Sequence, residues 1–247
     1  MADSGKPLGV SGDRHGRCAV AIMAKAPRVG EAKTRLVPPL SAADAAALSA
    51  CFIRDAAANI EAAARQAAID GYIAFAPPGA EAEFRPLLAP GTRLLPSRRP
   101  GLAASLYDAA ADLLGAGYGA VCLVNSDSPT LPTTILVAAV EALLLADERL
   151  VLGPAEDGGY YLIGLRRAHR RLFEDIAWST PQVFGQTEER ARELGLAVTR
   201  LPMWYDVDDR STLQRLRSEL RRTNGGPAIY PASYTSALLR RLFSLDT

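Results

Sequence analysis

Ala120-Val121-Cys122-Leu123-Val124-Asn125-Ser126-Asp127-Ser128-Pro129 decides the fold of this chain. The apolar run from Ala120 to Val124 reads as a strand covered on both faces, the pattern of a sheet buried under helices. It ends at a polar turn carrying Asp127 and Pro129. In an open α/β sheet, ligands gather beyond the carboxyl ends of the strands. Asp127 therefore stands where a site would be built.

The flanking sequence repeats the theme. Cys18 to Ala24 (CAVAIMA) is a second continuous apolar run. Ser41 is placed to cap a long helix, with Asp44 at the third helical position as a weaker relative of the capping box. Leu48, Phe52, Ala56 and Ile60 follow on one face of that helix. Gly71 leads into a strand from Tyr72 to Phe75, ended by Pro77-Pro78, and Leu94-Leu95 marks a short third strand. Leu102 to Leu114 reads as a helix. Beyond Asp127, Pro132 suits the first turn of a helix running through Leu145. Strands follow at Leu150–Leu152 and Gly159–Leu165, then a helix from Pro181 to Leu194. A strand at Ala197–Leu201 and a helix at Ser211–Arg221 complete the body. Alternating strands and helices predict an α/β fold, a mainly parallel sheet with helices on both faces.

The expected organisation is a disordered tail over residues 1–16, one domain over 17–222 and an extension over 223–247. The extension opens on Asn224-Gly225-Gly226-Pro227. Its Leu238, Leu239, Leu242 and Phe243 predict a short helix docking on the body or on a partner.

Composition narrows the function classes. The 247 residues are 49% hydrophobic and 22% charged, and 28 basic residues against 27 acidic give a net charge of +1. That balance argues against a dedicated nucleic-acid binder, while leaving room for a basic pocket around one nucleotide. The two histidines, His15 and His169, cannot form a histidine-rich metal site. Cys18, Cys51 and Cys122 show no CxxC spacing and predict reduced thiols. Residues 1–17 lack a hydrophobic signal core, and no run reaches the roughly eighteen apolar residues that suggest a membrane span. These features predict a soluble cytoplasmic protein. A homo-oligomer is compatible with them.

A second acidic segment, Asp206-Val207-Asp208-Asp209, follows the last expected strand. Alternation puts Asp206 and Asp208 on one side and Asp209 on the other. Asp209 is placed to cap the last helix, and Asp208 is read as a metal ligand. Alone, Asp127 could cap a turn; with Asp208 it describes a Mg²⁺ or Mn²⁺ site, since Mg²⁺ uses one or two protein carboxylates and takes its other ligands from phosphate and water.

The loop from Lys25 to Leu36 lies between strand and helix, where nucleotide phosphates are held, although it has neither a Walker pattern nor GxGxxG. Gly30 would allow close backbone approach, and Lys25, Lys33 and Arg35 would neutralise a diphosphate; the alternative is a solvated basic loop. Gly153 to Tyr161 is a further candidate. Asp157, Gly158, Gly159 and Tyr160 could contact a ligand, form a tight hairpin, or do both. Trp178-Ser179-Thr180 could cap the next helix or line an acceptor pocket, and capping is favoured.

The stretches AKAPRVGEAKTRL, NSDSPTLP, LGPAEDGGYYLIGL, LFEDIAWST and LPMWYDVDD run in order from Lys25 to Asp209. Together they resemble bacterial GT-A-type transferases of the radical-SAM/selenodomain-associated transferase 1 family, within the nucleotide-diphospho-sugar transferase superfamily. The resemblance implies a GT-A (Rossmann-like) fold with a nucleotide half and an acceptor half. It implies a nucleotide loop from Lys25 to Arg35, a metal-binding Asp127, Asp208 as second metal-site position, and Asp157 to Tyr160 on the sugar or acceptor side. The chain departs from the family's usual Leu-Gly-Glu-Arg-Met-like stretch at Arg98 to Ser105, and Asn125 replaces a common glycine.

The leading expectation is metal-dependent glycosyl transfer from a nucleoside-diphosphate sugar to a small acceptor, with Asp157 as general base. The rival is nucleotidyl transfer, in which a phosphorylated small molecule attacks a nucleoside triphosphate and releases pyrophosphate. A non-catalytic nucleotide sensor is a third reading.

Overall fold

The computed structural model describes residues 14–145, 147–222 and 228–243. Its centre is a seven-stranded sheet in the order β3-β2-β1-β4-β6-β5-β7. The strands are β1 (Cys18–Lys25), β2 (Ile69–Ala76), β3 (Arg93–Pro96), β4 (Ala120–Asn125), β5 (Arg149–Pro154), β6 (Tyr160–Leu165) and β7 (Ala197–Arg200). The helices are α1 (Ala42–Ala64), α2 (Glu81–Phe84), α3 (Leu102–Gly115), α4 (Thr133–Leu144), α5 (Val183–Glu193), α6 (Arg210–Arg221) and α7 (Ser233–Phe243). The α/β expectation, mainly parallel with helices on both faces, holds.

Alternation along β1 shows why both faces are apolar. Cys18, Val20, Ile22 and Ala24 join Ile53 and Ile60 of α1 and Ile135 and Leu143 of α4. Ala19 and Ala21 pack with Leu106, Ala110 and Leu113 of α3 on the opposite face. A third cluster lies outside the sheet and joins Leu36 and Leu40, Leu48 and Phe52 of α1, Tyr205 and Val207, Leu213 and Leu216 of α6, and Leu238 and Leu239 of α7. Burying large apolar side chains contributes roughly 1.5–3 kcal/mol each, so this cluster fixes the chain around Leu36 against the chain around Val207.

β6 is antiparallel to both β4 and β5, while the β1–β2, β1–β4, β2–β3 and β5–β7 pairings are parallel. This single reversal has a functional consequence. It brings the β5–β6 hairpin to the edge where β1 and β4 also end.

Local signals read from sequence mostly hold. Ser41 Oγ accepts from Asp44 N at 3.0 Å, starting α1. Asp209 caps α6 in a reciprocal box with Thr212. The favoured capping role of Ser179 and Thr180 holds in part: α5 begins after Gln182, which has no side-chain cap, but Thr180 Oγ1 accepts from Gln182 N at 3.4 Å ahead of the helix. The same hydroxyl donates to Ala177 O at 2.6 Å, closing its own turn.

Residues 1–13 of the expected tail lie outside the described residues. Arg14 is tied to the body, its carbonyl accepting from Gly119 N at 3.2 Å. In the extension, Asn224 to Pro227 likewise lie outside the described residues, and α7 docks on the body through α1 and α6. Among the described residues, no helix is long and apolar enough to cross a membrane.

Candidate active site at the carboxyl ends of the strands

Lys33 sits at the centre of the site. It follows the exposed loop from β1 and takes a left-handed backbone, φ 50°, just before a 3₁₀ turn over Thr34–Leu36. A non-glycine residue there costs of order 1–3 kcal/mol and persists only when its surroundings hold it. The surroundings do: Leu36 is fully buried in the third cluster, and the Lys33 side chain reaches inward above the Phe52 ring.

Lys33 Nζ lies 2.7 Å from Asp127 Oδ1 and 2.8 Å from Asp208 Oδ1. It also donates to the carbonyl of Val207 at 2.8 Å. Burial works against its charge, but the two carboxylates outweigh that effect and raise its pKa. The lysine side chain is 7% exposed, whereas those of Asp127 and Asp208 are 34% and 43% exposed. A buried ammonium thus faces two carboxylates that remain open to solvent.

Backbone and side-chain bonds lace the two acidic segments together. Val207 N donates to Asp127 O at 2.9 Å. Ser128 Oγ donates to Tyr205 O and to Asp206 Oδ1. Asn125 Nδ2 donates to the same Asp206 oxygen at 2.7 Å. Asp206 is thereby turned into the protein. Burial pushes its carboxyl up to about 6; the Ser128 and Asn125 hydrogen bonds oppose the shift, and the charges of Asp127 and Asp157 add to it.

Sequence reasoning did not select Asp206 or Asn125 as site residues. Strand alternation already put Asp206 beside Asp208, and Asn125 closes the strand leading to Asp127. Those were the available signals.

The β5–β6 hairpin forms the next wall. Ala155 N donates to Gly159 O, and Gly158 N donates to Ala155 O. Asp157 Oδ1 accepts from Gly159 N at 2.8 Å, leaving Oδ2 without a role in the turn. Glycine is required at position 158: φ is +88°, and a Cβ would stand 2.4 Å from Pro181 O. The hairpin joins the second acidic segment through Trp204 N to Pro154 O and Glu156 N to Trp204 O, both at 3.0 Å. Tyr160 packs edge-on against Trp178, with ring centroids 6.4 Å apart. Its hydroxyl is buried without a hydrogen-bond partner, and burial pushes its pKa well up.

The structure thus brings Lys33, Asp127 and Asp208 into contact, with Asp157 near enough to influence Asp206. It does not bring Lys25, Gly30 or Arg35 into that contact set. Lys25 ends β1 at the exposed edge, Gly30 lies in the exposed loop with φ +80°, and Arg35 lies on the exposed side of the 3₁₀ turn. The divergent segment after β3 is tied inward, with Arg99 Nε donating to Asp108 and Arg98 paired with Asp112, both at 2.8 Å. A small cavity beneath that segment is lined by Met23, Ser97, Ser105 and Asp108, and contains none of the candidate residues.

The pair Asp127 and Asp208 suits a divalent cation, since both already converge on one positive charge. No group of three or more His, Cys, Asp or Glu among the described residues is arranged to hold a metal unaided. A cation bound by this pair would therefore draw its remaining ligands from phosphate oxygens and water, as Mg²⁺ commonly does.

Comparison with known proteins agrees with this architecture. The family model described as "Uncharacterized protein conserved in bacteria (DUF2064)" matches residues 43–180. The matched span includes Asp127 and the β5–β6 hairpin; Lys33 and Asp208 lie outside it. A crystal structure from Desulfovibrio desulfuricans G20, provisionally named a nucleotide-diphospho-sugar transferase, is similar at 28% identity and TM-score 0.79, covering 92% of this chain and 96% of that one. The 4-diphosphocytidyl-2C-methyl-D-erythritol synthase of Anaerococcus prevotii DSM 20548 shares the fold at 10% identity and TM-score 0.53, covering 85% of this chain and 98% of that one. A cytidylyltransferase from Leptospira borgpetersenii shares it at 10% identity and TM-score 0.52, covering 92% and 95%. No curated protein matches the sequence.

Proposed function

The chain belongs to the DUF2064 family, and we propose that it is a metal-dependent transferase moving a glycosyl group from a nucleoside-diphosphate sugar to a small acceptor. The observation that carries this reading is the meeting of Asp127, Asp208 and Lys33 within 2.8 Å at the carboxyl edge of the sheet. The name given to the Desulfovibrio relative supports a nucleotide-sugar donor. The five ordered sequence stretches support placement with the radical-SAM/selenodomain-associated transferases and a GT-A type of sheet.

In this mechanism Asp127 and Asp208 hold Mg²⁺ or Mn²⁺, which when bound supplies Lewis-acid stabilisation of charge on the departing diphosphate. Lys33, already charged beside this pair, adds a second positive group to the same phosphate. Arg35, Lys25 and the backbone at Gly30 border the path by which the nucleotide enters. Asp157 takes the proton of the acceptor hydroxyl on Oδ2, because Gly159 N occupies Oδ1. Gly159 lets the acceptor approach the backbone closely, Gly158 supports the same side by holding the turn against Pro181, and Tyr160 with Trp178 forms an aromatic wall for a sugar ring. The three free cysteines fit a reducing, cytoplasmic setting.

Two carboxylates sharing one cation also suit in-line displacement at a nucleoside triphosphate, and the cytidylyltransferase-like sheet makes nucleotidyl transfer the second reading. One assay separates them. The full chain is incubated with Mg²⁺ and either nucleotide sugars or nucleoside triphosphates plus sugar phosphates. Nucleoside diphosphate release supports glycosyl transfer, and pyrophosphate release supports nucleotidyl transfer. Nucleotide binding without either product would sink both readings in favour of a non-catalytic sensor.

A further inference from the structure

We propose that Lys33 is a latch that makes metal and polyphosphate binding interdependent: its ammonium occupies the place between Asp127 and Asp208 until a polyphosphate draws it away. The inference rests on the reading of these two aspartates as the metal pair.

An ammonium has three N–H donors, and Lys33 has three acceptors in place: Asp127 Oδ1, Asp208 Oδ1 and Val207 O, all within 2.8 Å. The side chain is 7% exposed, so it is a seated group and not a passing surface contact. A divalent ion bound to the same two oxygens would stand against this ammonium, and like charges at that separation repel strongly where solvent is scarce. Either the ion stays out or the ammonium moves.

Charge determines when it moves. Two carboxylates and one ammonium leave the site with one net negative charge. A divalent ion alone would turn that into one net positive charge beside a buried lysine. A polyphosphate arriving with the ion supplies the missing anion and a new acceptor for Nζ. Each ligand therefore improves the site for the other, a coupling that is reciprocal by thermodynamic necessity. The lysine lies next to a solvent-exposed loop, and its flexible four-carbon stem can carry the charge from the aspartates to a phosphate without moving the sheet.

The test measures metal binding apart from turnover. Mn²⁺ affinity is determined by calorimetry on the full chain and on Lys33→Met, without nucleotide. The latch predicts at least tenfold tighter Mn²⁺ binding in the variant. On the wild-type chain, acetylation of Lys33 by an amine-reactive reagent is followed by mass spectrometry. Labelling should rise at least fivefold at saturating Mn²⁺ and fall again when inorganic tripolyphosphate is added with Mg²⁺. If Lys33→Met does not fold, the labelling series decides alone.

Equal Mn²⁺ affinity in both chains, or unchanged labelling at saturation, would overturn the latch while leaving the metal pair and the transferase reading standing. Absence of Mn²⁺ binding to both chains at millimolar concentration would overturn the latch and the metal reading together.

Discussion

Asp206 shows how a single carboxyl can record the tension between stability and function. Its Oδ1 accepts from Asn125 and Ser128, yet burial still pushes its pKa up to about 6, against roughly 3.9 for an unfolded aspartate. The folded state therefore holds the Asp206 proton more tightly than the unfolded chain does. Its unfavourable contribution is complete above pH 6 and fades as pH falls toward 4. The difference between these two values corresponds to about 3 kcal/mol. Asp206→Asn, unfolded in urea with EDTA present, should gain up to about 3 kcal/mol at pH 8 and almost nothing at pH 4. An equal gain at both pH values would show that ionisation is not the cause. Gly158 offers an opposite case. Alanine there would meet both a φ of +88° and a Pro181 oxygen 2.4 Å from its Cβ. Gly158→Ala should lose about 2–4 kcal/mol, read from the urea midpoint, and a loss below 1 kcal/mol would mean that the two loops separate easily.

Between elements, the strongest signals were apolar runs and helix starts. β1 and β4 are legible because their residues are buried on both faces, and Ser41 and Asp209 because a short polar side chain before a helix can satisfy a free N–H. The reversal of β6 was less legible. An apolar hexamer such as Tyr160–Leu165 reads alike in either direction, and only the glycines before it hinted at a hairpin. Position after strands predicts that Asp127 and Asp208 meet near the loop carrying Lys33, but not that Lys33 pairs with Asp208. The physical cause of that pairing, the cluster joining Leu36 to Val207, depends on contacts too remote for periodicity to reveal. Local patterning also could not separate Asp206 from Asp208, because their difference in burial depends on Ser128 and Asn125. The same limit applies to α7, whose first turn is held by Asp55 on α1. The Asp55 carboxylate accepts from Tyr234 N at 3.0 Å and Thr235 N at 2.8 Å. Asp55→Ala should therefore cost about 1–2 kcal/mol, the value of a helix cap, and should speed proteolysis around residues 228–243 while leaving the sheet's circular dichroism unchanged. Unaltered proteolysis would show that apolar packing alone holds α7.

For the molecule as a whole, the proposed metal pair joins distant parts of one chain, so ligand binding should be felt throughout the sheet and the third cluster. Asp127 follows a central strand, Asp208 follows the far edge strand, and Lys33 follows β1; the third apolar cluster closes the circuit from outside the sheet. A ligand set bound by these three residues favours only the folded arrangement, since unfolding separates them completely. At a hundred times its dissociation constant, such a ligand adds about 2.7 kcal/mol, which for a domain of this size corresponds to about 5–10 °C in Tm. Mg²⁺ together with the correct nucleotide sugar should therefore move a single thermal transition upward by about that amount, and EDTA should reverse the shift. Asp127→Asn should abolish the shift and reduce product formation at least about a hundredfold, the scale expected when a group stabilising transition-state charge is lost, while its circular dichroism stays that of the parent chain. A full shift retained in Asp127→Asn would place the nucleotide elsewhere on the molecule and remove the physical basis for the proposed reaction.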